Sequence, residues 1–192
     1  RNEKTAAAIF ESLLLTGIAM SFTKTSRPGS GTEHIMAHFW ECMELLDSKT
    51  PNYHGEDVGV TTLIMLRYYE ALARLPQVTA HPEICNWDEI YSIYGPLAPD
   101  VQKLNTPDTI TDGIAPRWIE ACWPQIRRIV QSVPSYDACL AAMRQAGCKT
   151  TIEEVGKAPD FVDISFRFHP YMRRRLSLKR VSHMLDLPED LF

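Results

Sequence analysis

Three histidines fall within 21 residues, at His34, His38 and His54. His34 and His38 are four apart, so on a helix they share a face. His54 follows a loop and sits at the start of the next helical segment. A chain reversal in that loop brings His54 opposite His34. Two imidazoles on adjacent helices, joined by a carboxylate from elsewhere, make a divalent-metal site with an open position. Plain packing of a polar pair uses the same residues. Ile35, Met36 and Ala37 separate His34 from His38, so no HExxH is present and metalloprotease chemistry is not indicated. The preceding SRPGSG run, residues 26–31, leads its backbone N–H groups into a helix N-terminus, a favourable place for phosphate. An ordinary interhelical loop has the same composition.

The elements that must position these residues read as helices separated by proline. Apolar residues recur from Glu3 to about Ser21, at Ile9, Leu13 and Ile18, which predicts a well-buried helix of about five turns. A second helix is expected from Gly31 or Thr32 to about Leu46. A third runs from about Glu56 to Leu75, with Val60, Leu63, Ile64, Leu66 and Tyr69 as core candidates and two acids in its first turn. Five prolines break residues 76–115 into short pieces. Helices fit Pro116–Val133, with a kink expected at Pro124, and Ser135–Ala146, stopped by Gly147. Thr151–Val155 and Ala158–Phe168 read as short helices. The alternating VDISFRF at 162–168 could be a strand, but one strand has no partner, so the helical reading is preferred. An all-α, single domain over 1–192 is the expectation.

Composition bounds the rest. The 192 residues are 45% hydrophobic and 23% charged, values of a globular chain rather than a disordered one. A net charge of −4 implies no general affinity for nucleic acid. Five cysteines without a CxxC pair do not indicate a disulfide scaffold or a zinc knuckle and fit a reducing, cytoplasmic setting. The continuous apolar stretch Leu13–Ala19 is too short to span a membrane.

The segment SRPGSGTEHIMAHFWE, followed by YHGEDVGVTTLIMLRYYE, resembles the C-terminal helical domain of sn-glycerol-1-phosphate dehydrogenases, in the iron-containing alcohol dehydrogenase and dehydroquinate synthase-like superfamily. The family pattern is approximately SRPASG-x-EH-x-x-x-H, then HG-x-x-VG. The match covers about residues 11–70 and departs at Gly29, where the family usually has alanine. Position by position, the resemblance implies that His34 and His54 are metal ligands and that His38 faces the substrate beside the metal as the catalytic histidine. It places Ser26 and Arg27 near the substrate phosphate. The implied metal is zinc or nickel, with iron in distant relatives. The implied reaction is reduction of dihydroxyacetone phosphate to sn-glycerol 1-phosphate, a step of phospholipid metabolism, by NADH or NADPH. A Rossmann-like N-terminal domain would hold the nucleotide and supply an aspartate ligand. This chain has no strand–glycine loop–helix unit, so it reads as the helical half of such an enzyme, inactive alone, in a homo-oligomer.

Other readings remain open. Glycerol dehydrogenase and dehydroquinate synthase place histidines similarly, but the first lacks an SRP loop. The second carries a GHTxGHA-like run where this chain has GTEHIMAH. A non-catalytic helical interaction domain would use the basic run Arg173, Arg174, Arg175, Lys179 and Arg180 as its surface. Cys42, one turn beyond His38, could add a thiolate.

Overall fold

Proline and glycine set the rhythm of the chain, and the structure, a computed structural model, describes residues 2–192. The fold is all-α. Its helices are α1 (Glu3–Thr23), α2 (Thr32–Leu46), α3 (His54–Arg74), α4 (Trp87–Tyr94), α5 (Ala98–Asn105), α6 (Pro116–Gln131), α7 (Tyr136–Ala146), α8 (Pro159–Phe168) and α9 (Leu178–Val181), with short 3-10 turns between them. The only extended pairing among the described residues is a single bridge between Ala80 and Leu185. VDISFRF is helical, as expected, because Phe161, Ile164 and Phe168 recur at helical spacing and pack inward.

Two compact units divide the described chain, residues 2–31 and residues 32–192. In the first, Asn2 caps α1 by accepting from the Thr5 backbone N–H at 2.9 Å. The helix stops at Lys24 in the left-handed region, φ 54°. A 3-10 turn, Arg27–Gly29, follows. A Cβ on Gly29 would lie 2.9 Å from Thr16 Cγ2, so glycine is what fits here.

The expectation of a buried first helix is corrected: α1 has no buried residue, and Phe22 is 84% exposed. Its apolar side chains include the consecutive Leu13, Leu14 and Leu15, which point around the whole circumference rather than along one stripe. By length and composition alone, α1 is also long and apolar enough to cross a membrane, a property that counting only Leu13–Ala19 missed.

The second unit has two apolar clusters. One gathers Met36, Phe39 and Trp40 of α2 with Val60 and Met65 of α3, Tyr94 of α4, Val101 of α5 and Phe168 of α8. The other joins Tyr68 and Leu72 of α3 to Ile119 and Trp123 of α6 and to Val181 and Met184. Each large polar aromatic finds a partner, as burial requires. Trp40 Nε1 donates to Ser165 Oγ at 2.7 Å, Tyr94 Oη to the Phe168 carbonyl at 2.7 Å, and Trp123 Nε1 to the Leu75 carbonyl at 3.0 Å.

Two further expectations change. Thr151–Val155 forms turns, not a helix, since the Glu154 carboxylate takes the Thr150 and Thr151 backbone N–H groups. The last basic run is not one solvated face. Lys179 and Arg180 are buried, and Arg180 Nε lies 2.7 Å from Glu83. Over residues 171–187, Ser177 starts only the single turn α9. Pro124 sits inside α6.

Candidate metal centre

Helices α2 and α3 lie side by side and antiparallel. Tyr69 Oη donates to Thr32 Oγ1 at 3.0 Å, and Thr61 Oγ1 donates to the Glu33 carbonyl at 2.9 Å. The other ends of the two helices meet at the 47–53 connection. That connection is pinned from below. Asn52 Nδ2 donates to Asp57 Oδ1 at 3.1 Å and to the Val155 carbonyl at 2.8 Å. Lys157 Nζ, itself buried, lies 2.5 Å from Glu44 Oε1 and 3.5 Å from Asp57 Oδ2. Burial raises the Asp57 pKa, against the pull of Asn52 and Lys157. Lys157 therefore ties the end of α2 to the first turn of α3 through two carboxylates.

This hairpin brings the three sequence-predicted histidines together. The His54 ring centroid is 4.8 Å from that of His38, stacked, and 5.4 Å from that of His34, tilted. Glu41, one turn beyond His38, bridges the helices. Its Oε2 lies 2.9 Å from His38 Nδ1 and its Oε1 lies 2.5 Å from His54 Nδ1. Glu33 Oε1 lies 2.9 Å from His34 Nδ1. A carboxylate only accepts, so each Nδ1 carries a proton, which leaves Nε2 as the ring nitrogen available to a ligand. Burial works against the Glu41 charge, but the hydrogen bonds from His54 and His38 prevail and hold its carboxyl below the usual value.

The residues present fit a divalent cation. Neutral imidazoles oriented by carboxylates on the other ring nitrogen are the usual way proteins prepare histidine ligands. Ligand atoms of His38, Glu41 and His54 also lie within 4.8 Å of one another, a second donor set. All five side chains, Glu33, His34, His38, Glu41 and His54, are part-exposed, so the cluster is open to solvent. Glu41 and Glu33 were missed by the sequence reading. The signal for Glu41 was its i+3 spacing from His38, on the same helix face.

Ser26 and Arg27 lie in the first unit. Ser26 precedes the 3-10 turn, and the Arg27 backbone N–H donates to Thr25 Oγ1 at 3.3 Å. Cys42 does not join the metal-competent group among the described residues, and burial pushes its thiol up, away from thiolate. His81 and His169 are elsewhere. His81 Nδ1 lies 2.8 Å from the Pro82 carbonyl, and His169 is fully buried.

Histidines from two antiparallel helices, oriented by carboxylates, give this all-α domain a cluster of donor atoms suited to a metal ion. Along nearly its whole length, the chain is homologous to glycerol-1-phosphate dehydrogenases [NAD(P)+]. It is 26% identical over 190 residues to the enzyme of Geobacillus stearothermophilus, covering 99% of this chain and 40% of the relative. It is 26% identical over 188 residues to that of Geobacillus thermodenitrificans, covering 98% and 40%. Over 64 residues it is 41% identical to the enzyme of Thermococcus kodakarensis, covering 33% and 17%. The chain thus spans about 40% of the length of the two Geobacillus relatives. No protein-family profile and no solved structure matches it.

Proposed function

We propose that this chain is the metal- and substrate-binding part of an NAD(P)H-dependent, cytoplasmic oxidoreductase that reduces dihydroxyacetone phosphate to sn-glycerol 1-phosphate. The observation that carries the reading is Glu41, one carboxylate that fixes the tautomers of His38 and His54 from two different helices. The relatives' name supplies the reaction class.

His34 and His54 would hold the metal through their imidazoles, donors that suit zinc or nickel. Sequence outside this chain completes the set with an aspartate and binds the nucleotide in a Rossmann-like domain of a homo-oligomer. The bound metal supplies Lewis acidity toward the ketone oxygen. His38 presents its Nε2 to the substrate; in the reduction its imidazolium form would give the Nε2 proton to the oxygen that becomes the hydroxyl and regain one from solvent. Glu41 keeps that imidazole in the tautomer the exchange requires. Ser26 and Arg27 contact the phosphate. The hydride chemistry belongs to the nicotinamide.

Zinc affinity measured by chelator competition tests the ligand set. His34→Ala and His54→Ala should each lower affinity at least tenfold. Glu41→Gln, which loses an acceptor from the pair, should lower it about 10–100-fold. The clustered donor atoms favour a second reading, with His38, Glu41 and His54 as the ligands. In that case His34→Ala would leave affinity unchanged and His38→Ala would remove it. Affinity unchanged in all four variants would end both readings.

A further inference from the structure

Away from the histidines, α3, α8 and the segment after α9 line a cavity of about 600 Å³ that is open to solvent on one side. That is the size of a small-ligand site rather than a packing defect. Its walls are apolar and aromatic, with Ile64, Tyr68, Phe166, Leu187 and Phe192 among them. Phe166 and Phe192 stack with centroids 5.0 Å apart, and Tyr68 meets both rings edge-on.

One cation lines this cavity from the inside. Lys179 is 5% exposed, and no carboxylate lies within 4.0 Å of its Nζ among the described residues. Its neighbours are the Phe166 ring at 4.2 Å, the Tyr68 ring at 5.2 Å and His183 Nε2 at 3.1 Å. The other charged residues at the cavity, Asp163, Arg167 and Glu189, are exposed, and Arg167 pairs with Glu89. Buried cations are normally paired, because the desolvation cost of an isolated charge is high. The contrast within this fold is sharp: buried Lys157 has two carboxylates, and buried Arg180 has Glu83. Lys179 has aromatic rings, His183 and an open volume around it, but no carboxylate among the described residues.

We infer that this cavity binds a small organic monocarboxylate with an apolar, preferably aromatic, body, whose carboxylate pairs with the Lys179 ammonium. The anion provides the counter-charge that the fold omits, and the ring packs against Phe166 and Tyr68. Burial lowers the Lys179 pKa to about 7, with the nearby Arg167 charge adding to the effect, which is what an ammonium lacking a counter-ion does. The inference uses none of the metal-site residues and stands or falls apart from that reading.

Calorimetric titration with 3-phenylpropanoate, beside 3-phenylpropan-1-ol, separates charge pairing from apolar uptake. The carboxylate should bind at least tenfold more tightly than the alcohol. Lys179→Met, nearly the same length without the charge, should erase that preference while leaving alcohol binding in place. Ile64→Trp narrows the cavity at a distance from the lysine and should weaken both ligands, which keeps the test valid if Lys179→Met does not fold. Equal affinity for acid and alcohol would overturn the inference. So would unchanged acid binding in Lys179→Met or Ile64→Trp, or no binding of either compound at millimolar concentration.

Discussion

His169 makes stability depend on pH in a calculable way. The side chain is fully buried, its Nδ1 donates to the Ser165 carbonyl at 2.8 Å, and its Nε2 has no hydrogen-bond partner. Burial pushes its pKa from 6.5 down to about 3, aided by the Lys179 and His183 charges. His183, also mainly through burial, falls to about 4. Below pH 6.5 the unfolded chain binds these protons and the folded chain does not. Stability is therefore complete above 6.5 and is lost as pH falls toward the folded values. Each unit of pH costs about 1.4 kcal/mol per group, so between pH 6.5 and 5 each histidine removes about 2 kcal/mol, or about 4 kcal/mol together. Glu83 and Lys179 act outside that window. Glu83, held down to about 2, contributes stability lost only below its ordinary 4.5, and Lys179 acts between about 7 and 10.5. His169→Asn keeps a donor toward the Ser165 carbonyl and removes the titration. Urea unfolding followed by tryptophan fluorescence at pH 6.5 and 5 should show the wild type losing about 4 kcal/mol and the variant about 2 kcal/mol. Equal losses in the two proteins would refute the argument.

Lys157→Met leaves Glu44 and Asp57 buried without their cation and should cost about 3–5 kcal/mol in urea unfolding, with Asp57→Asn added in the same chain recovering part of it. Gly147 ends α7 at φ 76° with open space around it, so Gly147→Ala should cost about 1–2 kcal/mol in the same assay, from backbone conformation alone.

The sequence made the helices of the second unit legible because their apolar residues keep one period between clear stops. The helix expected from Gly31 or Thr32 to about Leu46 spans Thr32–Leu46, and α7 lies between Ser135 and Gly147, its two caps. The chemistry was partly legible. The i, i+4 spacing of His34 and His38 gave the face, and the loop before His54 gave the reversal. Glu41 was overlooked because a helical glutamate is ordinarily a surface residue, and only the approach of α3 gives it a second imidazole. The burial of Lys179 and Arg180 was hidden for the same reason: Glu83 lies nearly a hundred residues earlier in the chain, and no local pattern announces it. For α1, hydrophobicity was mistaken for burial. Apolar content states what a helix prefers to touch, whereas burial needs a partner surface.

Helix α3 supplies Val60 and Met65 to one apolar cluster and Tyr68 and Leu72 to the other. Neither cluster can open while this helix stays seated in both, so the two melt as one cooperative unit. Fraying is then confined to the periphery, such as α7, which has no buried residue. The backbone amides of α3 become the slowest to exchange with solvent, since they are released only by global unfolding. The segment that carries His54 is thus anchored along its length, and that rigidity makes the His54 backbone a fixed reference for the side chains around it.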